Sequence, residues 1–250
     1  MVREFVNIQQ ASSAAVKHII NIAGSAVRDK GFCTIVLAGG STPRETYELL
    51  SADAYAEQMP WQQSHFFWGD ERWLPPDHPD SNYCMAHTAL LSRVMVPANN
   101  IHQITTVHRT PEISADLYEK HLRDFFYLMN RASQKNDAEK MTIPGFDLVL
   151  LGMGTDGHTA SLFPGSHLLE EKTKWVVAVP AGIGSPPVAR ITLTLPLLNG
   201  AKNIIFLISG KRKRALLDTI LARPAEAKAL YPAARIKPGG TLLWLAAREG

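Results

Sequence analysis

The sequence predicts an α/β protein built on a mostly parallel sheet with helices on both sides. Two observations carry that expectation. Short apolar runs alternate with longer stretches of helical periodicity along the whole 250-residue chain. Most of those runs are apolar at every position rather than at alternate ones, which is the pattern of strands covered on both faces.

The runs that read as strands are residues 32–38 (FCTIVLA), 65–70 (HFFWGD), 146–152 (FDLVLLG), 175–180 (WVVAVP), 190–195 (RITLTL), 203–209 (NIIFLIS) and 241–246 (TLLWLA). The clearest amphipathic helix runs from Pro111 to about Ser133, where Ile113, Leu117, His121 or Leu122, Phe125 and Met129 recur at helical spacing. Residues 131–145 and the Ala/Pro-rich 223–240 read as irregular. The second is a surface loop rather than a linker, because a strand-like run follows it at once, so a single domain over 1–250 is expected.

A hydrophobic fraction of 46% allows a sizeable core. The net charge of +3 suits an anionic substrate but lacks the basic stripe of a nucleic-acid binder, so no nucleic-acid partner is expected. Cys33 and Cys84 are too few for a disulfide framework, and Cys33, inside an apolar run, reads as a buried thiol. The first twenty residues lack the apolar core and cleavage site of a signal peptide. No window approaches the roughly 18 uninterrupted apolar residues of a membrane span. A cytoplasmic protein with no membrane partner is therefore expected.

Ligands of parallel α/β sheets bind at the carboxyl ends of the strands, so the loops after each run carry the information. The first is Ala38-Gly39-Gly40-Ser41-Thr42-Pro43-Arg44-Glu45. Gly39 and Gly40 let backbone amides approach a ligand closely. Thr42 reads as an N-cap, with Pro43 at the first helical position and Glu45 completing a T-x-x-E capping box. Such a helix start is a natural phosphate site, or else simply a well-capped helix. The second loop, Gly69-Asp70-Glu71-Arg72-Trp73, sets three charges at a strand end, where packing seldom needs them. They form either a site or a surface ion-pair cluster, and a turn-rich segment then enters a helix near Ser81.

The third loop, residues 151–165 (LGMGTDGHTASLFPG), is the most informative. Gly152, Gly154 and Gly157 match the dinucleotide fingerprint G-x-G-x-x-G, but weakly. This is not the first strand, and no acidic residue ends the next one to hold a ribose. The glycines instead flank Asp156 and His158, two titratable groups with no use beneath a pyrophosphate. Histidine exchanges protons near neutral pH, which makes His158 a candidate general base, against the plainer reading of a loop-stabilising side chain. The other histidines, His65, His87 and His121 among them, stand outside any motif. No pair has the spacing of a metal site, and no metal is expected.

The fourth loop is Ser209-Gly210-Lys211-Arg212-Lys213-Arg214, ahead of another helix. Four cations there oppose the helix dipole unless they turn to solvent or an anion binds among them. With no interleaved aromatic platform, single-strand nucleic-acid binding does not fit.

Taken together, these segments resemble the 6-phosphogluconolactonase family, within the superfamily that also holds glucosamine-6-phosphate deaminases. The pieces that carry the resemblance are LAGGSTPRETYELL, FFWGDERWLPPDHPDSNY, FDLVLLGMGTDGHTASLFPG, RITLTLPLLN and IFLISGKRKRALL, in the family's order over residues 37–217. The resemblance implies a single three-layer αβα domain with a Rossmann-like sheet, of the NagB/RpiA/CoA-transferase-like kind. It implies hydrolysis of 6-phospho-D-glucono-1,5-lactone to 6-phospho-D-gluconate in the oxidative pentose phosphate pathway, with neither metal nor cofactor. Ser41, Thr42, Arg190 and Lys213, with Gly39 and Gly40, would hold the phosphate, while Asp70, Arg72, Asp156 and His158 surround the lactone. The partner is then the phosphosugar lactone alone, bound by a monomer or weak homodimer.

Two positions depart from the patterns of the superfamily. Arg214 follows Lys213 where the lactonase family commonly has a small residue, which leaves open which cation of Lys211, Arg212, Lys213 and Arg214 meets phosphate. The deaminase branch carries an acidic residue five positions after the motif histidine; here that position is Phe163, which cannot move a proton, and this favours the lactonase. On that reading His158 takes a proton from water as it attacks C1, with Asp156 or Asp70 orienting the imidazole. Loop amides or Arg72 would meet the oxyanion. The rivals are a deaminase-like isomerase, a dinucleotide oxidoreductase resting on the glycine pattern alone, and a non-catalytic phosphosugar-binding protein, which would not need Asp156 and His158 together.

Overall fold

The computed structural model of the chain describes residues 1–132 and 143–249. Among these residues the strands are β1 (Val2–Phe5), β2 (Cys33–Leu37), β3 (Ser64–Trp68), β4 (Asp70–Arg72), β5 (Ile101–His102), β6 (Leu148–Gly152), β7 (Val176–Val179), β8 (Arg190–Leu193), β9 (Asn203–Ser209) and β10 (Thr241–Ala247). The helices are α1 (Ile8–Lys30), α2 (Ser41–Leu50), α3 (Asp53–Ala56), α4 (Asn82–Ala89), α5 (Pro111–Ala132), α6 (Leu195–Asn199), α7 (Lys211–Ala222) and α8 (Pro224–Leu230). The main sheet has seven strands, all parallel, in the order β1-β10-β9-β6-β2-β3-β5. The α/β expectation holds.

Two of the predicted strands lie elsewhere. Residues 175–180 and 190–195 do not join the parallel sheet; β7 and β8 pair antiparallel with β4 in a second sheet, ordered β4-β8-β7. The chain leaves the main sheet after β3, and Gly69 bridges the two by donating to Leu37 and accepting from Leu193. Helix α5 packs against both β7 and β8, so they are as apolar as central parallel strands and carry the same sequence signature. The region 223–240 is also corrected. It holds α8 and a 3-10 turn at Pro232–Arg235, and α8 buries only Ala227, so its alanine-rich sequence lacks an apolar stripe. Most of the other segment expected to be irregular lies outside the described residues.

The amphipathic reading of 111–133 matches α5, and Ser81 caps α4 through its hydroxyl, which accepts from the Cys84 amide. Helix α1 starts with the Asn7 side chain accepting from Gln10 and stops at Gly31, whose φ of 86° suits glycine. Cys33 is fully buried, and burial together with the charge of Asp147 pushes its thiol far up. His65, His102 and His121 form a hydrogen-bonded chain (3.1 and 2.7 Å) beside Phe125, and burial pushes His102 down to about 3. Among the described residues no group of three acidic, histidine or cysteine side chains could hold a metal, and no helix is long and apolar enough to cross a membrane.

Just before β6, at the amino-terminal edge of the sheet, Asp147 is a buried anion shared by three segments. It accepts from the Thr34 amide and hydroxyl (2.9 Å each), Lys30 (2.7 Å) and Lys202 (3.0 Å). Burial alone would raise its pKa, but the Lys30 bond and charge, the Thr34 amide and Lys202 outweigh it and hold the carboxyl below its ordinary value. A folded pKa below the unfolded one means this group stabilises the protein above about pH 4, the range of an unfolded aspartate, and that the gain is lost as pH falls further. Asp147→Ala frees the partly exposed lysines to solvent but leaves the buried Thr34 donors without their acceptor, and is expected to destabilise by about 1–3 kcal/mol at pH 7, read by denaturant unfolding. The gap to the parent should narrow on acidification.

Candidate functional site

Loops at the carboxyl ends of β2, β3, β6 and β9 enclose a cavity of about 230 Å³. Residues Gly39 to Pro43 form one wall, with Asp70 and Arg72 beside them, Gly152 to Gly154 and His158 opposite, and Arg190 and Lys213 also facing in. Nine of the ten sequence candidates therefore line one space. Asp156 does not, and reaches it only through His158.

Helix α2 corrects the capping box. The helix begins at Ser41, one residue before the expected cap, and its N-cap is Gly40 at φ 102°, with no side chain capping the first turn. Glycine adopts this backbone freely, whereas the Thr42 side chain, already inside the helix, cannot cap it. The amides of the first turn are thus left for a ligand, together with the hydroxyls of Ser41 and Thr42. Helix α7 starts in the same way, at Gly210 with φ 99° and no side-chain cap. By contrast, α1 and α4 are both capped by side chains.

The four cations of α7 separate cleanly. Lys211 and Arg212 are exposed. Arg214 turns away to Glu4 (2.6 Å) and Asp218 (2.9 Å). Lys213 alone enters the cavity, where burial lowers its pKa. Arg190, only 4% exposed, donates through Nη2 to the Ser185 and Pro186 carbonyls (3.0 Å each). Its Nε is buried with no partner among the described residues, and so is that of Arg72, whose Nη1 donates to the Asp80 carbonyl at 2.7 Å. Burial lowers the Arg190 pKa, and the charge of Arg72 adds to this, against Asp70 and Glu71. Desolvated cations with unused donors favour an anion between them.

The loop after β6 is folded around the imidazole. The Asp156 carboxylate accepts from the His158 amide (3.1 Å) and lies 2.6 Å from Nδ1. A carboxylate accepts only, so in the neutral ring Nδ1 is the nitrogen that bears hydrogen and Nε2 the one with the free lone pair. The glycines of the apparent nucleotide fingerprint serve this arrangement. A Cβ on Gly154 would strike the His158 ring and the Asp156 carboxylate, and one on Gly157 would strike Tyr231. Phe163 packs 4.7 Å from the His158 ring and 5.7 Å from the Arg190 guanidinium, as an apolar wall.

Of the two carboxylates weighed as orienter, Asp156 bonds the imidazole, and Asp70 bonds other groups. Asp70 is 7% exposed and accepts from the Ser161 hydroxyl (2.6 Å) and the Asn82 carboxamide (3.2 Å). Glu71 faces away from the cavity and accepts from the amides of Arg72, Asn82 and Tyr83 (2.7 Å each) and from Ser81. Burial pushes it up to about 7 against those amides, with the charge of Asp70 adding. Of the three charges, Asp70 and Arg72 thus line the cavity and Glu71 is an internal brace. Sequence reading missed Asn82 and Ser161, whose relation to Asp70 arises only when three loops meet.

The uncapped start of α2, two buried cations and a carboxylate-held histidine thus line one cavity at the carboxyl ends of a parallel α/β sheet, an arrangement with the chemistry to receive a small anion beside an imidazole. A family model described as glucosamine-6-phosphate isomerases/6-phosphogluconolactonase matches residues 7–244. The chain belongs to that family. It is 44% identical over 227 residues to a 6-phosphogluconolactonase of Nostoc sp., covering 91% of this chain and 87% of the relative. The solved 6-phosphogluconolactonase of Trypanosoma brucei is 30% identical, with a TM-score of 0.79 over 99% of this chain and 95% of that one. A monomeric glucosamine-6-phosphate deaminase shares the fold at a TM-score of 0.77 and 19% identity, over 98% and 96% of the two chains. The fold is therefore common to both activities, and side chains must separate them.

Proposed function

We propose that this chain hydrolyses 6-phospho-D-glucono-1,5-lactone to 6-phospho-D-gluconate by general-base activation of water. The observation that carries this reading is the Asp156–His158 contact, which leaves Nε2 as a base in the cavity that also holds Lys213, Arg190 and the open start of α2. The phosphate is held by Ser41, Thr42, the amides of Gly39 and Gly40, and the two cations, which fixes the far end of the substrate. Nε2 then takes a proton from water as its oxygen bonds C1. The imidazolium formed is stabilised by Asp156 and returns the proton to the ring oxygen as the C1–O bond breaks. Arg72, with an unused buried Nε, faces the negative charge that builds on the carbonyl oxygen, and Asp70 receives substrate hydroxyls.

The same family contains deaminases, which in the pattern described above carry an acid where this chain has Phe163. A buried phenyl ring supplies no proton for ring opening, and the hydrolytic reading is favoured. A charged phosphosugar substrate supports a cytoplasmic setting. The test is a coupled assay in which freshly generated lactone is consumed faster than it hydrolyses spontaneously. Ammonia release from glucosamine 6-phosphate, with no lactonase rate, would overturn the proposal.

A further inference from the structure

We infer that Asn82 is a positioning residue that locks the lactone end of the site to the phosphate end, an inference that rests on the lactonase reading. Residue 82 is held twice by consecutive residues of β4. Its backbone amide donates to Glu71 (2.7 Å), and its carboxamide Nδ2 donates to the Asp70 carbonyl (2.9 Å) and carboxylate (3.2 Å). These bonds fix the direction of the amide, because only the NH₂ end can face a carbonyl and a carboxylate.

The opposite end of that amide meets the phosphate loop. A Cβ built on Gly39 would fall onto Asn82 Oδ1 and Cγ. Gly39, unlike Gly40, does not have a positive φ, so its backbone does not require glycine. Position 39 is glycine to make room for the Asn82 side chain. The carboxamide is therefore wedged between the Asp70 carboxylate and the loop that opens α2, and it is 2% exposed.

The other Asp70 oxygen is held by Ser161, three residues beyond His158. A continuous path then runs from the histidine loop through Ser161, Asp70 and Asn82 to Gly39 and Ser41. Its length sets the distance between the anchored phosphate and the base. A misplacement of about 1 Å can cost roughly 100-fold in rate, so this path belongs to catalysis although Asn82 transfers no proton.

A double-mutant cycle tests the inference. Asn82→Ala and Gly39→Ala should each lower kcat about 10- to 100-fold; KM should move less than about threefold for Asn82→Ala, because Lys213 and Arg190 still hold phosphate, and about three- to tenfold for Gly39→Ala, which displaces the phosphate loop itself. In the double variant the new methyl group at 39 occupies the space vacated at 82, so its kcat should lie within about twofold of Asn82→Ala alone. Multiplying losses would overturn the inference. Thermal melts accompany each variant, and Asn82→Ser replaces Asn82→Ala if the latter is unfolded at the assay temperature. Titration with inorganic phosphate separates this inference from the lactonase reading. Gly39→Ala should weaken phosphate at least threefold when Asn82 is present and not when it is absent. Lack of lactonase turnover in the parent would sink the reading alone; equal weakening in both backgrounds would sink the role of Asn82.

Discussion

His158→Ala is expected to reduce kcat for the phosphorylated lactone by about 10²–10⁴-fold, the usual contribution of a positioned general base, while KM stays nearly unchanged. The split follows from the geometry. His158 lines the cavity and is braced from behind by Asp156, whereas the cations and the open start of α2 proposed to hold the phosphate lie on other elements. Removing the imidazole should therefore leave binding and remove the proton acceptor. The fold should survive, because the side chain is one-third exposed and its loop keeps the Gly154–His158 backbone bond and the Thr159–Gly152 bond. The measurement is initial rate against substrate, corrected for spontaneous hydrolysis. An unchanged kcat would remove His158 from the reaction.

Lys213→Ala should act in the opposite sense, raising KM roughly 10- to 100-fold with a smaller change in kcat. A charge-assisted hydrogen bond contributes about 1.5–3 kcal/mol, and each 1.4 kcal/mol is tenfold in affinity. Contacts to a phosphate remote from the reacting carbon are felt equally in ground and transition states, so the loss appears in KM. Arg214→Gln is the control. That guanidinium is committed to Glu4 and Asp218, and its loss should leave KM within about threefold of the parent. If Arg214→Gln raised KM and Lys213→Ala did not, the assignment of the phosphate cation would be reversed.

The difference between those two neighbours shows how far sequence alone could be read. A run of four cations at a helix start announces an anion, but which one points inward depends on the rotation of α7 against its neighbours, a tertiary feature seen here in Arg214 meeting Glu4 of β1. The central strands were legible because burial on both faces leaves no polar position to confuse the pattern; β2 is buried at all five residues. Edge strands carry no such signal. β1 exposes Arg3 and Glu4, and β5 is two residues long. The runs that became β7 and β8 were recognisable as strands but not by sheet, since apolar composition records burial and says nothing of the partner. The site divides in the same way. His158, Lys213 and the glycines of the first loop stand at strand ends in order along the chain. Ser161 and Asn82 acquire their roles through Asp70, 91 and 12 positions away.

The strand order also governs when activity can first appear as the chain folds. The centre of the sheet joins β2 to β6, and Thr34 is tied to Asp147 across 113 positions of chain. Closing so long a loop is entropically expensive and kinetically late, and until it closes the two halves of the pocket have no fixed relation. Neither half of the polypeptide holds a working fraction of the site. On refolding, turnover should return with the last cooperative phase rather than with the earlier recovery of helix, which makes the catalytic rate itself a clock for closure of the molecule.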